Sequence, residues 1–370
     1  MLESRTMLQV SVSEARIIVV GAGLSGLAVA ARLVSSGREV LLLEASSRAG
    51  GQIHTQREPS ALVELGAEGF VARSRAVPAL CELLGISAAL VEQLTTDTYA
   101  VEPSGLALLP AGEAARRLGF QVPVEELGRG IRALAGGMGQ LIDALVERVG
   151  PQRLQLSRTV SHLGRSADGL QVELISGERE LARAVVLATP ARHAAALLDA
   201  LWPAESAKLA SAQLLTNVSV NLLYRARQFR DYPPGSGLIF PDEIAALGLR
   251  AVSLVDHKFA GRVSPEQALL RVFFRPAADA LETWTDERFA SEAARAIARV
   301  LPVSGEPERA WVSRWVDALP VFSADFRARA SEADGALQVH GIHLTGSAFH
   351  GAGIDAAVAS AERVAARLMG

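Results

Sequence analysis

Hydrophobic positions along the first fifty residues follow three successive patterns. Residues 16–20 are dominated by β-branched side chains, which is typical of a short buried strand. Residues 27–35 place apolar side chains at helical spacing and stop before Gly37, and residues 39–44 form a second apolar run. Together these patterns predict a strand, a helix and a strand in succession, which is a βαβ unit of a parallel sheet.

The rest of the chain alternates between helical and strand-like spacing. Residues 76–149 are mainly helical in pattern, and residues 153–189 form short strand-like runs separated by turn residues. Helices are predicted over residues 191–201, 204–215, 285–300 and 354–369, and strands over residues 218–224, 237–240, 251–255 and 268–274. Because helices and strands are interleaved, the pattern predicts an α/β fold.

Length and net charge indicate the number of domains and the kind of ligand. The chain has 370 residues, which is more than one hydrophobic core usually serves, so two domains are expected. Its 37 basic and 40 acidic side chains give a formal charge of −3. No basic field therefore draws the protein to nucleic acid, and a small molecule is the expected ligand.

Cysteine usage and hydropathy indicate the compartment. Cys81 is the only cysteine, which excludes an internal disulfide and fits a reducing cytoplasm. Residues 1–13 lack the basic and apolar pattern of a signal peptide. The uncharged runs at residues 17–31 and 209–224 are too short to span a bilayer. We expect a cytoplasmic protein, with peripheral contact to the inner membrane left open.

A glycine-rich turn joins the first strand to the first helix. Its residues, Gly21-Ala22-Gly23-Leu24-Ser25-Gly26, match the pattern G-x-G-x-x-G. The first glycine permits a tight turn, the second admits a pyrophosphate, and the third allows close packing of helix and strand. Glu44 ends the second strand, where a carboxylate accepts hydrogen bonds from a ribose. The unit is therefore predicted to bind a dinucleotide at the helix N-terminus.

The loop after Glu44 favours a flavin over a nicotinamide cofactor. Arg48 and the pair Gly50-Gly51 follow in the pattern E-x-x-x-R-x-G-G. The Arg48 guanidinium offers a fork to the pyrophosphate, and the two glycines let the main chain run beneath a flat ring. This run resembles the extended dinucleotide motif of the flavin amine oxidase superfamily.

Later segments resemble the cofactor contacts of the same superfamily. Residues 184–190 are similar to its second strand-to-turn element, and Val160 lies where a backbone contact to adenine is made. Residues 344–355 form another strand, glycine turn and helix start, and the N-terminus of that helix would stabilise a reduced, anionic flavin. The resemblance implies a discontinuous Rossmann-type FAD-binding domain with an inserted α+β substrate domain that contains a mixed or antiparallel sheet. The implied bounds are 14–75, 150–215 and 325–370 for the FAD domain, and 76–149 and 216–324 for the substrate domain.

Four motifs resemble the protoporphyrinogen and coproporphyrinogen oxidases more narrowly. They lie in the family's order at residues 64–70, 134–145, 314–322 and 351–355. The chain departs from the family pattern at Ala67, where proline is usual, and the stretch between Phe70 and Gly136 is shorter than in full-length relatives. That stretch helps to build the substrate cavity, so the shortening bears on the substrate rather than on the cofactor.

This resemblance implies an FAD-dependent oxidase of heme biosynthesis. Hydride would pass from a meso carbon of protoporphyrinogen IX or coproporphyrinogen III to the flavin, with oxygen as the acceptor. The alternatives are an FAD-dependent desaturase or amine oxidase that acts on another apolar metabolite, and a non-catalytic FAD-binding relative. FAD is expected to bind without a covalent link, because no cysteine lies in the C-terminal segment. The residues implied to bind FAD are Gly21, Ala22, Gly23, Leu24, Ser25, Gly26, Glu44, Ala45, Arg48, Gly50, Gly51, Gln52, Gly66, Ala67, Val160, Ala188, Thr189, Trp315, Gly346, Gly353, Ile354 and Ala357.

Other polar residues are candidates for function, although no catalytic acid or base is predicted. His343 lies in strand-like sequence without a carboxylate cluster, so a metal site is not expected. His350 lies in the C-terminal turn, where it would bond the ring or the substrate or pack as a neutral side chain. The charged neighbours of Lys258 predict a solvated loop. Arg271 and Arg275 flank an apolar strand and would meet either substrate carboxylates or solvent.

Overall fold

The structure of the chain is a computed structural model, which describes residues 16–118, 130–167, 169–241 and 248–370. Strands and helices are numbered in chain order within these ranges. The strands are β1 (Ile17–Val20), β2 (Val40–Leu43), β3 (Thr55–Arg57), β4 (Leu62–Glu64), β5 (Leu90–Glu92), β6 (Thr98–Glu102), β7 (Gly105–Leu108), β8 (Arg132–Leu134), β9 (Leu154–Gln155), β10 (Val160–Ser166), β11 (Gly169–Leu174), β12 (Arg179–Ala182), β13 (Ala184–Leu187), β14 (Leu214–Arg225), β15 (Gly237–Ile239), β16 (Leu249–Leu254), β17 (Gln267–Phe274), β18 (Arg309–Pro320) and β19 (Ile342–Leu344). The helices are α1 (Leu24–Ser35), α2 (Ala76–Leu84), α3 (Glu113–Arg117), α4 (Gly139–Val149), α5 (Ala191–Leu198), α6 (Pro203–Ala210), α7 (Val255–Lys258), α8 (Ala278–Thr283), α9 (Asp286–Val300), α10 (Ala324–Gln338) and α11 (Ile354–Met369).

A parallel sheet carries the predicted dinucleotide unit. Its strands run in the order β19-β13-β1-β2-β9, and β1 pairs in parallel with both β2 and β13. Ile17 and Val19 point into a core formed with α1, α4 and α11. Ile18 and Val20 point into a second core on the opposite face, formed with α5 and α10. Because both faces are covered, β1 is apolar at every position, as its β-branched run predicts.

A small antiparallel sheet covers part of the second face. Its strands run in the order β10-β11-β12. Leu163, Leu170 and Val172 from this sheet join the core that contains Ile18. The alternation of buried and more exposed positions along β11 is the pattern expected of a sheet with one covered face.

A larger mixed sheet forms the other half of the molecule. Its order is β18-β14-β17-β16-β15-β6-β7, with antiparallel pairing except between β15 and β6. On its outer face, Val220 and Val272 share a core with Phe289 of α9. On its inner face, Asn221 and Arg271 lie opposite each other and are both buried. A Rossmann-type unit combined with a mixed sheet confirms the predicted fold class.

Residues 76–149 are less helical than their spacing predicts. This stretch contains α2, α3 and α4, but it also contains β5, β6, β7 and β8, so the prediction of a mainly helical region is wrong for its described part. Strand β6 pairs with β15, more than a hundred residues away, and a local pattern cannot report such a partner. Two further elements, β18 and α10, were not predicted. Residues 1–15, which include the start of the predicted FAD domain, and residues 119–129 lie outside the described ranges.

Helices α2 and α4 pack with the parallel sheet rather than with the mixed sheet. Leu80 of α2 and Leu141 of α4 belong to the same buried cluster as Leu27 of α1 and Val358 of α11. We therefore propose that the cofactor domain includes α2 and α4 in addition to its predicted segments. In this division, the mixed sheet and its outer helices form the substrate domain.

The described helices are short relative to a bilayer, and none of them is long and apolar enough to cross it. Within the same described ranges, His, Cys, Asp and Glu side chains do not form a group of three or more that could hold a metal ion. Cys81 is buried in α2, and burial raises the pKa of its thiol to about 11. The thiol is therefore protonated at neutral pH, which suits a packing residue.

Candidate active site

The turn between β1 and α1 is called the phosphate loop. Glycine stands at three positions of this loop for different structural reasons. Gly21 has φ +101°, and a Cβ on it would lie 2.8 Å from the Ala188 carbonyl oxygen. A Cβ on Gly26 would lie 1.9 Å from the Gly21 carbonyl oxygen, so the fold itself requires glycine there. A Cβ on Gly23 would meet only the Gly51 Cα, at 4.0 Å. The open side of the loop is therefore at Gly23, where the pyrophosphate is predicted.

The N-terminus of α1 is suited to hold an anion. The helix starts directly after Gly23, and no side chain caps its first turn. No acidic residue lies in that turn either. Its amide groups and the partial positive charge of the helix terminus are therefore available to a phosphate.

Glu44 reaches the phosphate loop from the end of β2. Its Oε2 accepts a hydrogen bond from the Ala22 amide at 2.7 Å, and its Oε1 accepts from the Ser46 amide and hydroxyl at 2.9 and 2.7 Å. The Glu44 carbonyl oxygen accepts from the Arg158 amide at 2.8 Å. This contact brings the start of β10, and with it Val160, to the side of the carboxylate. The predicted ribose and adenine contacts are thus neighbours.

Replacing Glu44 with alanine is expected to weaken FAD binding while the protein stays folded. Hydrogen bonds to a charged group contribute about 1.5–3 kcal/mol, so the Kd for FAD should rise by roughly 10- to 100-fold. Titration of the apoprotein with FAD, followed by quenching of flavin fluorescence, measures this change. Ser46→Ala removes one partner of the carboxylate and serves as the milder control. An unchanged Kd in Glu44→Ala would contradict the assigned ribose contact.

Arg48 shapes the loop that follows Glu44. Its guanidinium donates to the carbonyl oxygens of Ala49, Ile53 and Gly51 at 3.1, 3.2 and 2.6 Å. Burial lowers the pKa of this guanidinium and the nearby Glu44 carboxylate opposes that shift. In this arrangement Arg48 binds the loop, and its contact with a pyrophosphate stays a prediction.

The Gly50-Gly51 pair packs directly on the phosphate loop. Gly50 and Gly23 form a parallel bridge, and a Cβ on Gly51 would lie 3.1 Å from the Gly23 Cα. Both residues of the pair have positive φ, +104° and +54°. The two glycine segments therefore form one continuous cradle of backbone, without side chains between them.

The later segments end beside the same cradle. The Ala188 amide donates to the Val20 carbonyl oxygen at 2.9 Å, and the Thr345 amide donates to the Leu187 carbonyl oxygen at 3.0 Å. A Cβ on Gly346 would lie 3.3 Å from Ser25 Oγ. The carboxyl ends of β1, β13 and β19 therefore meet at one edge of the parallel sheet, which is where ligands bind in such folds.

The start of α11 completes this group of segments. Gly353, with φ +94°, precedes the helix, and Ile354 is buried in its first turn. The Ala357 carbonyl oxygen accepts a hydrogen bond from Ser25 Oγ at 3.4 Å, which ties the first turn of α11 to the phosphate loop. Two features fit FAD: a backbone cradle that side chains would fill, and the buried Thr189 Oγ1, which has no hydrogen-bond partner.

Gln52, Gly66 and Ala67 connect the cradle to the mixed sheet, to which Trp315 of β18 belongs. The Ala67 amide donates to the Gln52 carbonyl oxygen at 3.1 Å, and a Cβ on Gly66 would lie only 2.0 Å from that same oxygen. Trp315 Nε1 donates to the Leu65 carbonyl oxygen at 2.8 Å. Residues that are far apart in the chain are thus brought together as the sequence predicts, and their contacts with FAD stay predictions.

Comparison with known proteins identifies the family. The sequence model of the family described as flavin containing amine oxidoreductase matches residues 91–369, and that of the NAD(P)-binding Rossmann-like domain matches residues 19–84. The chain belongs to the flavin containing amine oxidoreductase family. It is an FAD-dependent oxidoreductase, which confirms the predicted cofactor and enzyme class.

Individual relatives of the chain include coproporphyrinogen III oxidases. The chain is 34% identical to a coproporphyrinogen III oxidase of Propionibacterium freudenreichii over 63% of its own length, but the match spans only 44% of that protein. It is 23% identical to a coproporphyrinogen III oxidase of Bacillus subtilis over 91% of the chain and 94% of the relative, in an alignment of 447 positions. That alignment is longer than the 370-residue chain, as expected if the relative has segments that this chain lacks. A solved protein from Exiguobacterium sp. 255-15, for which protoporphyrinogen oxidase activity is proposed, has the same fold, with a TM-score of 0.81, 22% identity and coverage of 96% of this chain and 98% of that one.

The solvated loop expected at Lys258 is wrong, and one of the two alternatives left open for Arg271 is excluded. The Lys258 side chain is only 14% exposed and forms an ion pair with Glu68, so it does not lie in a solvated loop. Its neighbour Arg262 is also buried, and the guanidinium donates to the Leu134 carbonyl oxygen at 3.1 Å. Arg271 is buried and donates to Ser219 Oγ at 3.0 Å, which excludes the solvent alternative for it, whereas Arg275 is exposed. Charged residues clustered in a sequence do not reveal whether their partners lie in another segment.

Glu68 lies beside the predicted site and was not singled out from the sequence. It lies directly after Ala67, and its side chain contacts Ser253 and Lys258 of the mixed sheet half. The motif at residues 64–70 drew attention to this segment, but nothing in that motif indicates a cationic partner. The pairing depends on residues 190 positions apart.

Two histidines of the C-terminal half predict a pH dependence of stability. Burial lowers the pKa of both His343 and His350, and Asp334 opposes the shift at each. A lowered pKa in the folded state means that the unfolded chain binds protons more readily, so stability is fully present above the ordinary histidine pKa, near 6.5, and falls as the pH drops below it. The free energy of unfolding changes by at most about 1.4 kcal/mol per pH unit for each proton that the unfolded chain binds in excess.

Urea unfolding between pH 7.5 and 5 measures this effect. His350→Gln keeps a side chain that is able to hydrogen-bond and should give a shallower pH dependence than the wild-type protein. His193→Gln, which changes a histidine exposed in α5, is the matched control and should leave the slope unchanged. A wild-type stability that is constant or rises on acidification through this range would contradict the prediction.

Proposed function

We propose that this oxidoreductase converts a porphyrinogen, coproporphyrinogen III or protoporphyrinogen IX, to the porphyrin, with oxygen as the electron acceptor, in heme biosynthesis. The observation that carries the proposal is the likeness to coproporphyrinogen III oxidases, which extends over 91% of the chain for the Bacillus subtilis relative. The four motifs at residues 64–70, 134–145, 314–322 and 351–355 support the same substrate class.

The inner face of the mixed sheet supplies a wall suited to such a substrate. Pairing places Ser219 of β14 opposite Phe273 of β17 on one side and Ser313 of β18 on the other. Phe273 is half-buried, and Ser313 Oγ is buried without a hydrogen-bond partner. Trp315 lies two positions further along β18 and, like Phe273, is half-buried. A surface that combines aromatic rings with a few hydroxyl groups fits a large ring compound with an apolar face and polar edges.

The chain's own residues would bind, orient and shield the reactants. The phosphate loop, Glu44, the Gly50-Gly51 pair and the turn at Gly346 would hold FAD. When bound, FAD supplies the hydride acceptor of the reaction. The mixed sheet would hold the substrate against the segment that contains Gly66 and Ala67. The protein's contribution is then proximity and the exclusion of water.

Anaerobic reduction tests the proposal. The purified protein should be yellow, and coproporphyrinogen III or protoporphyrinogen IX should bleach its flavin absorbance in the absence of oxygen. Admission of air should restore the absorbance and release hydrogen peroxide together with porphyrin fluorescence. Holoprotein that is inert towards both porphyrinogens would overturn the assignment of substrate.

Oxidation of an amine or another apolar metabolite is the second candidate. It is favoured by the match of most of the chain to the amine oxidoreductase family and by the short stretch between Phe70 and Gly136. A panel of polyamines, cyclic amines and polycyclic alkenes, screened by the same anaerobic bleaching, separates the two. A flavin that only an amine reduces would select this candidate, and a flavin that resists the whole panel would select a non-catalytic FAD-binding protein.

A further inference from the structure

A buried ion pair joins the two halves of the molecule beside the predicted flavin site. Lys258 Nζ donates to Glu68 Oε1 in a short contact, and Ser253 Oγ donates to the same oxygen at 3.3 Å. The side chains of Lys258 and Glu68 are 14% and 13% exposed. A pair at this depth is poorly screened, so each charge depends on the other.

On one side, the backbone connects the pair to the cofactor cradle. Glu68 is bonded in sequence to Ala67, whose amide donates to the Gln52 carbonyl oxygen at 3.1 Å. Gly66 lies so close to Gln52 that a Cβ would come within 2.0 Å of its carbonyl oxygen. Because no side chain separates these backbones, a displacement of Glu68 passes directly to the loop that contains Gly51 and Gln52.

On the other side, the pair is anchored in the mixed sheet. Ser253 lies on β16, and Lys258 ends α7. Two hydrogen bonds also connect residues 64–68 to this sheet. Asn221 Nδ2 donates to the Glu64 carbonyl oxygen at 3.1 Å, and Trp315 Nε1 donates to the Leu65 carbonyl oxygen at 2.8 Å. These two hydrogen bonds join neutral groups, whereas Glu68 and Lys258 form an ion pair.

Several charged side chains surround the ion pair of Glu68 and Lys258. Glu64, Arg262 and Arg271 are buried near the pair, so two carboxylates and three cations interact here. Burial raises the pKa of Glu64, whose carboxylate accepts hydrogen bonds from the Thr55 hydroxyl and the Met138 amide, both at 2.7 Å. Burial also opposes ionisation of Glu68, but Lys258 and then Arg271 outweigh it and keep the pKa of Glu68 below its ordinary value. Glu68 is therefore the carboxylate of this group that contacts Lys258 directly.

We propose that Glu68 and Lys258 are a positioning pair for the flavin-dependent oxidation: the ionic tie sets the distance between the segment that supports the flavin and the sheet that holds the substrate. The inference rests on the proposed function in so far as it takes the mixed sheet as the substrate wall. Neither residue is assigned a contact with the reacting atoms. Their effect is transmitted through the backbone at residues 66–68.

Three variants separate positioning from simple charge balance. Glu68→Gln removes one of the two carboxylates, and Lys258→Met removes one of the three cations. The double variant restores the formal balance of the wild-type protein without the ion pair. Lys208→Met is the matched control, since Lys208 is the only other lysine of the chain and pairs with Glu332 on the surface. The thermal midpoint of the apoprotein should fall in Glu68→Gln and recover in the double variant.

The rate constant of flavin reduction, unlike the thermal midpoint, should not recover in the double variant. With coproporphyrinogen III under anaerobic conditions, we expect the limiting rate constant to fall on the order of 10- to 100-fold in both single variants and in the double variant, because a small misplacement of reactants has effects of this size. The apparent Kd of the substrate should stay within about threefold, and Lys208→Met should match the wild-type protein. A double variant that reduces its flavin at the wild-type rate would show that the pair serves only charge balance, and would overturn the proposal.

A second readout needs no substrate. The visible circular dichroism and the midpoint potential of the bound flavin should change in Lys258→Met and in the double variant, and not in Lys208→Met. If wild-type holoprotein is inert towards porphyrinogens, the proposed function fails while these signals still report on the pair. Spectra and potentials identical to those of the wild-type protein in both variants would overturn the positioning role itself.

Discussion

Replacing Gly23 with valine is expected to leave a folded protein that has lost FAD. Gly23 is the open position of the phosphate loop, because a Cβ there would meet only the Gly51 Cα, at 4.0 Å. Its φ of −69° is accessible to any residue. A branched side chain at this point would fill the space that a pyrophosphate needs, and we expect the Kd for FAD to rise by at least about 100-fold, or about 2.7 kcal/mol.

Flavin content after gel filtration and a fluorescence titration of the apoprotein measure this loss. Thermal unfolding of the apoprotein should differ from that of the wild-type apoprotein by only a few degrees, since nothing in the fold is displaced. Gly335→Val is the matched control: Gly335 is exposed in α10, and a Cβ added to it would meet nothing within 4 Å. Full flavin occupancy in Gly23→Val would mean that the pyrophosphate lies elsewhere.

Replacing Gly26 with alanine should instead damage the fold, although the two glycines belong to one motif. The added Cβ would lie 1.9 Å from the Gly21 carbonyl oxygen and 3.1 Å from the Ala188 Cβ. Gly21 directly follows β1 and Ala188 directly follows β13, and hydrogen bonds to the sheet hold both residues, so α1 must move away from the sheet. We expect a loss of about 3 kcal/mol or more in the free energy of unfolding.

Urea unfolding of the apoprotein checks this result without reference to the cofactor. Gly335→Ala provides the control for adding a methyl group to a glycine in a helix, and it should stabilise the protein by about 0.5–1 kcal/mol because alanine favours helix. Apo Gly26→Ala with wild-type stability would show that the contact between α1 and β1 is looser than the structure has it. The comparison of Gly23 with Gly26 separates binding from folding within four residues.

The candidate site could be predicted from the sequence where its chemistry is local. The phosphate loop, Glu44 and the Gly50-Gly51 pair lie within thirty-one residues, and spacing alone places them at the carboxyl ends of two neighbouring strands. The turn at Gly346 could be assigned from its resemblance to a family. Its position, 3.3 Å from Ser25 Oγ for a Cβ on Gly346, needed the order of strands in the sheet.

Other features could not be predicted because their partners are far apart in the chain. β6 completes a sheet by pairing with β15, and its own short run of residues looked helical in context. Lys258 looked solvated because Asp256, His257 and Arg262 surround it in the sequence. In the structure, Asp256 accepts a hydrogen bond from the Tyr232 hydroxyl at 2.9 Å, and Arg262 is buried. The environment of a charge depends on long-range packing, which a local window does not contain.

By itself, the sequence determined the Rossmann unit and its glycine motifs, and its resemblance to a known superfamily identified FAD as the cofactor. The unit and its motifs follow from residue periodicity and from glycine positions, which act over a few residues. Only the tertiary structure decided how much room each of these glycines leaves for a Cβ, and it alone paired Glu68 with Lys258. Both outcomes depend on how close two distant backbones approach, and that distance is set by the packing of whole strands and helices.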